Sequence, residues 1–280
     1  MMFEYLEKII TIDSGENGPT VTLMGGVHGN ESCGVEILNK LKNKLKIKRG
    51  KVFIIFGNPK AIKKNIRQTQ ENLNRIFREE KDLTQKEKKS YEYKRSREII
   101  PFLIKSDILL DLHSSYTQKS IPFIICEKNS LDLAKILPSS VVCFGFDDIH
   151  PGSTDYFMNK KKKKGICIEC GATGSKKANK IARVSVNAVL SYLKMVDTKS
   201  KSQIKNNQQS LRVSSIYKTK TNNFTLRKKF NDFEKVKEGE LIGVDGKEKI
   251  YSDSSQAIVF AGNCNKIGSE AFVLLRVVDK

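Results

Sequence analysis

The sequence predicts an α/β protein, a mostly parallel or mixed sheet flanked by helices, with a small β-rich domain toward its C-terminal end. Apolar, strand-like runs recur at 21–27, 52–57, 107–112, 121–126, 141–146 and 166–170. Such near-continuous runs mark strands buried on both faces. Segments with helical periodicity lie between several of them, the alternation that covers a sheet with helices. Beyond residue 210 the pattern changes to short strand-like pieces parted by Gly, Asp and Asn turns, with no helical repeat.

Taken in order, the first run, 21–27, leads into a glycine-bracketed turn, and Asn30-Glu31-Ser32 opens a helix with Val35, Leu38, Leu41 and Leu45 in one stripe. Residues 85–105 read as a highly charged helix ending in Ile99, Ile100, Leu103 and Ile104. Pro101 lacks the N–H a helix interior needs and is expected to kink or break it. A third helix is expected over 177–195, with Ile181, Val184, Ala188, Tyr192 and Met195. Residues 198–210 carry almost no apolar side chains and read as a linker. Strand-like pieces follow at 212–217, 223–226, 240–244, 256–261 and 271–278. The expected organisation is a first domain over 1–197, a linker over 198–210 and a β-rich domain over 211–280.

Composition excludes several classes. With 280 residues, 39% of them hydrophobic, the chain can bury a sizeable core. No apolar stretch approaches the ~18 residues of a membrane span. The N-terminal residues lack the basic-then-apolar pattern of a signal peptide. The expectation is a cytoplasmic protein with no membrane association. Six cysteines, at 33, 126, 143, 167, 170 and 264, are too dilute for a disulfide scaffold. Cys167-x-x-Cys170 lies on a predicted strand, where alternation sends the two thiols to opposite faces. The net charge is +20, scattered along the chain, with one run of lysines at 160–164. Without interleaved aromatics, zinc-finger spacing or a helix-turn-helix pattern, this predicts solvated lysine-rich faces and no specific nucleic-acid partner. It would still attract anionic substrates from a distance.

Three histidines are present, at 28, 113 and 150. His28 and Glu31 sit at a strand-to-helix turn, and side chains three apart share a face there. His113 closes the apolar run ILLDLH, and the C-terminal ends of parallel strands converge on one crevice. His28, Glu31 and His113 together supply three ligands and leave a fourth position open, the make-up of a catalytic zinc site. Glu169 lies inside the apolar run GICIEC, where a carboxylate is costly unless paired or used. It is a candidate base, with a structural ion pair as the alternative. Asn74 and Arg75 place a guanidinium beside an amide, a pair able to grip a carboxylate.

The strings HGNE, NPKA…R…NLNRIF, DLHSS and IECG, in this order over roughly 20–195, resemble the succinylglutamate desuccinylase/aspartoacylase family, zinc-dependent deacylases related to the zinc carboxypeptidases. The resemblance implies a zinc carboxypeptidase-like catalytic domain over 1–197 and one Zn2+ per chain on His28, Glu31 and His113. It implies Glu169 as the base that deprotonates the attacking water and passes the proton to the leaving amine. It implies Arg67 as the group that polarises the scissile carbonyl, and Asn74 and Arg75 as ligands of a carboxylate on a small substrate. The segment GSTDYFMN resembles the pocket-lining segment of zinc carboxypeptidases, which puts Thr154 and Asp155 against the substrate and suits a polar or amino-bearing group. The simpler reading of that segment is a turn before a strand.

Two departures stand out. Aspartoacylases carry an arginine in the loop before the catalytic Glu, where this chain has only lysines 160–164. Where carboxypeptidases have a tyrosine upstream of the pocket segment, this chain has Asp147 nearby, with Tyr156 or Tyr116 as substitutes. The expected activity is hydrolysis of the amide bond of an N-acyl amino acid or similar small molecule. The alternatives are a zinc carboxypeptidase for short peptides and a basic anion- or nucleic-acid-binding protein with an inactive hydrolase fold. A homo-oligomer is compatible with the sequence.

Overall fold

The computed structural model describes Leu6, residues 8–197 and residues 208–278. The elements run β1 (Ile10–Asp13), β2 (Thr20–Gly25), α1 (Ser32–Leu41), β3 (Lys51–Phe56), α2 (Pro59–Lys64), α3 (Gln85–Lys88), α4 (Tyr91–Lys105), β4 (Ile108–Ser115) and β5 (Phe123–Cys126). There follow α5 (Leu131–Ala134), β6 (Val141–Phe144), α6 (Phe146–Ile149), α7 (Thr154–Lys160), β7 (Lys164–Ala172) and α8 (Lys176–Tyr192). The C-terminal strands are β8 (Gln209–Lys218), β9 (Phe224–Leu226), β10 (Glu234–Val236), β11 (Leu241–Asp245), β12 (Glu248–Tyr251), β13 (Gln256–Val259) and β14 (Glu270–Val277).

Among the described residues, eleven strands form one sheet in the order β1-β3-β2-β4-β7-β5-β6-β8-β14-β13-β10. Its centre, β3-β2-β4-β7, is parallel. β5 runs against β7, and the C-terminal strands β8, β14, β13 and β10 pair antiparallel. The mixed, mostly parallel sheet with antiparallel C-terminal strands is the fold class expected. A small second sheet, β12-β11-β9, stands apart from it. Of the expected linker, residues 198–207 lie outside the described residues, and Gln209 already pairs with Val141 of β6.

The central strands bury both faces because helices cover both. Val21, Leu23, Leu110, Leu112, Ile166 and Ile168 pack toward α1 and α8, with Leu38, Ala182 and Val186 in the same cluster. Alternation turns Met24, Phe53, Ile55 and Leu109 to the other face, against Ile99 and Leu103 of α4 and Met158 of α7. Asp111 and His113 share that second face with Leu109, so the polar residues of β4 emerge on the α4–α7 side. No helix among the described residues is long and apolar enough to cross a membrane.

Several expectations are corrected. The charged segment 85–105 is two helices, since Thr84 makes a capping box with Glu87 and Ser90 caps α4 through the Tyr93 N–H. Pro101 does not end α4, which continues to Lys105 with Ile99 and Leu103 buried beneath it. The missing N–H removes one bond near the C-terminal end, and tertiary packing outweighs that loss. GSTDYFMN is not a turn before a strand but carries α7, with the Ser153 hydroxyl accepting from the Tyr156 N–H. Strands β1, β10 and β12, of three or four residues each, were not anticipated.

Leu110 is fully buried on the face of β4 opposite Asp111 and His113. Leu110→Ala should lower unfolding stability in urea by about 3 kcal/mol while leaving the polar face of β4 in place.

Candidate metal centre and substrate cavity

His28 stands just past the C-terminal end of β2, on a turn that Gly29 allows. A Cβ at Gly29 would lie 2.1 Å from the Ala61 carbonyl carbon, so only glycine fits against α2. The turn delivers Glu31 to the start of α1. His113 comes from β4, where it pairs in register with Glu169 on β7, while Asp111 pairs with Cys167.

The Glu31 carboxylate lies between the two imidazoles. His28 Nδ1 is 2.7 Å from Oε1, and His113 Nδ1 is 2.9 Å from Oε2. The Ser114 N–H donates to Oε2 at 3.1 Å and Arg67 Nη1 to Oε1 at 3.3 Å. Each ring has an acceptor at its far side as well. His28 Nε2 is 3.1 Å from Asn72 Oδ1, an oxygen whose identity is fixed because the Asn74 N–H donates to it. His113 Nε2 is 3.2 Å from Asp111 Oδ2.

This arrangement tests whether the residues suit a cation. A neutral imidazole has one N–H. In neutral His28 that proton serves either Glu31 Oε1 or Asn72 Oδ1 but not both, so one ring lone pair faces an oxygen at hydrogen-bond distance. Burial pushes the His28 ring down to about 4, so protonation does not relieve the contact at neutral pH. Burial would also lower His113, but the charges of Asp111 and Glu31 outweigh it and raise the ring well above its ordinary value. Burial would raise the Glu31 carboxyl, yet the two imidazoles hold it well below the carboxylate range. All three groups are buried, and their ligand atoms lie within 4.8 Å of one another. The three groups could hold a metal ion, with the Asn72 amide and the Asp111 carboxylate placed where supporting partners of metal-bound histidines stand.

Glu169 lies one strand away, with its carboxylate and the Cys167 thiol within 4.8 Å of a His113 nitrogen. Its Oε2 is buried without a hydrogen-bond partner. Burial, then the charge of Glu31, pushes its carboxyl well above the usual value. Cys170 points away from the site, toward Cys33, and no disulfide occurs among the described residues.

These groups open on a cavity of roughly 650 Å3. His28, Glu31, His113, Glu169, Arg67, Asn74, Arg75 and Asp155 all line it, which brings together eight of the nine residues singled out in the sequence. Thr154 is not among the lining residues, because its hydroxyl donates to Asp111 and backs the His113 partner instead. Arg67 projects from the loop after α2, and its carbonyl accepts from the Gly29 N–H at 3.2 Å. Asn74 Oδ1 accepts from the Thr154 N–H at 3.3 Å. Gly152, at φ +91°, lets the 150–153 loop lie on the Arg75 backbone, where a Cβ would meet the Arg75 oxygen at 2.4 Å. Tyr116 lines the cavity, whereas Asp147 is engaged by Asn159 Nδ2 at 3.0 Å and is absent from the wall.

The model of the succinylglutamate desuccinylase/aspartoacylase catalytic domain matches residues 17–196. The chain belongs to this family. It is 29% identical over 166 residues to a probable aspartoacylase of Nostoc sp., a match spanning 54% of this chain and 55% of that protein. It is 32% identical over 74 residues to a succinylglutamate desuccinylase of Pseudomonas aeruginosa, covering 25% and 22%. The chain thus matches about half the length of the first of these relatives and less than a quarter of the second. The fold is that of the succinylglutamate desuccinylase from Vibrio cholerae, at a TM-score of 0.79 and 18% identity over 97% of this chain and 86% of that one. The ectoine utilization protein EutE from Ruegeria pomeroyi, in a product-bound structure, shares it at 0.70 and 20%, over 96% and 88%.

Two supporting residues were not singled out in the sequence. Asn72, part of the family-like NLNR string, orients His28. Glu92 on α4 accepts from Asn58 Nδ2, the Thr69 N–H and hydroxyl, and the Gln70 and Glu71 N–H groups, and so pins the loop between Arg67 and Asn72. Nothing in the sequence singles out Glu92, because a Glu in a charged helix usually faces solvent. Burial would raise its carboxyl, but the hydrogen bonds from Thr69, Glu71 and Asn58 lower it below the usual 4.5. Glu92→Gln should cost about 2 kcal/mol at neutral pH. A depressed carboxyl contributes its stability above its unfolded value and loses it as pH falls further. The gap in urea midpoint between wild type and variant should therefore close in acid.

Proposed function

We propose that the protein is a zinc-dependent deacylase that hydrolyses the amide bond of an N-acyl amino acid or similar small molecule. The observation that carries this is the convergence, on one cavity, of the His28–Glu31–His113 ligand set, an unpartnered buried Glu169 oxygen and Arg67. The names of the matched relatives, an aspartoacylase and a succinylglutamate desuccinylase, support the same reaction class.

His28, Glu31 and His113 would hold one zinc ion. Bound zinc supplies Lewis acidity, which activates a water and polarises an acyl carbonyl. Glu169, raised by its burial, takes the proton from the attacking water and returns it to the leaving amine. Arg67 donates to the oxygen on which negative charge develops. Asn74 and Arg75 bind the carboxylate of the amino-acid part.

Asp155 lines the cavity with its side chain against the Ser153 hydroxyl. None of lysines 160–164 lines it: Lys163 donates to the Ile104 and Ser106 carbonyls, and Lys164 reaches Asp132. This supports a substrate side chain that is polar or amino-bearing rather than a second carboxylate. The protein is proposed to work in the cytoplasm, with a division at the 198–210 segment into catalytic and β-rich parts.

Elemental analysis should find about one zinc per chain, and His113→Ala should lose it. Glu169→Gln should keep the zinc while kcat falls at least about a hundredfold, measured on a panel of N-acetyl-methionine, N-acetyl-lysine, N-acetylaspartate and N-succinylglutamate. A Glu169→Gln enzyme of near-native rate would remove the base assignment. Within the same panel, Asp155→Asn should reduce kcat/KM for N-acetyl-lysine about tenfold relative to N-acetyl-methionine. Equal effects on the two substrates would exclude Asp155 from side-chain selection.

A further inference from the structure

Arg75 does not present an open fork to the cavity. Its Nε donates to Glu270 Oε1 at 3.4 Å, and its Nη2 donates to Oε1 and Oε2 at 3.2 and 2.9 Å. Its Nη1 donates to the Asn74 carbonyl at 2.8 Å. A guanidinium has five N–H groups. Those left over for a ligand therefore lie on the Nη1–Nη2 end, because the side-on edge belongs to Glu270. Glu270 opens β14 and is itself 3.0 Å from His150 Nε2, just beyond α6. Arg75, His150 and Glu270 all line the cavity.

The pair joins residues 195 apart in the chain. Exposed ion pairs are worth little, and with Arg75 20% and Glu270 35% exposed the weight falls on the geometry of this one. Two parallel contacts set the plane and the roll of a guanidinium, which a single contact does not. Glu270 is placed in turn by the ladder between β14 and β8, where it lies opposite Lys218. Other C-terminal residues, Phe260, Ser269 and Phe272 among them, share the same wall.

We propose that Glu270 is a positioning residue for the substrate-carboxylate anchor. It aims Arg75 from the C-terminal strands, with His150 Nε2 beside its carboxylate. The wall that grips the substrate is thus built from both ends of the chain, and the β-rich region is part of the active site. The identity of the ligand, a substrate carboxylate, rests on the deacylase reading above, while the Arg75–Glu270 geometry stands without it.

The test uses zinc-loaded wild type, Glu270→Ala, Arg75→Ala and the double variant. The substrates are the four acyl amino acids above and the analogues in which the α-carboxylate is a carboxamide. Glu270→Ala should raise KM for the carboxylate substrates about tenfold, a loss of about 1.4 kcal/mol, with kcat little changed and the carboxamides unaffected. It should add nothing to Arg75→Ala, since the two act through one contact. A KM that falls or stays level, or an equal penalty on the carboxamides, would overturn the inference. If wild type cleaves none of the panel, the deacylase reading fails, and labelling of Arg75 by phenylglyoxal, followed peptide by peptide, still decides. Labelling several-fold faster in Glu270→Ala supports positioning, and equal rates overturn it.

Discussion

One carboxylate organises the centre of this molecule. Glu31 stands between two imidazoles from neighbouring strands, and each ring meets a further acceptor at its other nitrogen. Four acceptors around two rings exceed the protons that neutral imidazoles can donate. A shared positive charge relieves this, whether the proton that Asp111 and Glu31 favour on His113 or a metal ion, which the three inner groups could hold. The surrounding structure serves that contact. Gly29 lets the His28 turn close onto α2, Thr154 and Asp111 back His113, and Glu92 fixes the loop that ends at Asn72.

Strand order does the rest of the positioning. β2, β4 and β7 are adjacent and parallel, so residues near their C-terminal ends meet without any long-range rearrangement. A one-residue slip of β7 against β4 would turn Glu169 away from His113 and bring apolar Ile168 or the small Cys170 to its place. Register is held by the buried Ile166 and Ile168 on the opposite face. The packing core and the reacting groups are therefore set by the same alternation.

The parts legible in the sequence are those encoded locally. Most buried strands announce themselves as apolar runs, and His28, Glu31, His113 and Glu169 stand out as polar residues within or just after those runs. The parts that were not legible depend on distant partners. Asn72 and Glu92 look like ordinary polar residues until the loop folds onto α4. The resemblance of GSTDYFMN to a pocket-lining segment puts both Thr154 and Asp155 at the cavity, but in a helix adjacent side chains point to different sides, and only Asp155 lines it. β10 and β12 are too short to show a pattern, and Pro101 is tolerated because Ile99 and Leu103 anchor its helix from below. Arg75 lines the cavity, and the carboxylate it meets in the fold comes from residue 270, which no local pattern connects to it.

The charge of the chain and the charge of its cavity have separate roles. The surplus of +20 sits on a lysine-rich surface. Around the cavity, Arg75 is matched by Glu270, Arg67 lies beside Glu31, and lysines 163 and 164 are bonded elsewhere. Surface charge is screened over about 8–10 Å at physiological salt, so it raises encounters with anions without selecting among them. Under the proposed function, selection would fall to the few groups inside, among them Arg75 and the acid Asp155. An acid lining the wall disfavours a second substrate carboxylate as directly as it favours an amine, because like charges brought together out of water repel strongly. Under the proposed function, the departure at lysines 160–164 and the presence of Asp155 would thus be two sides of one electrostatic preference.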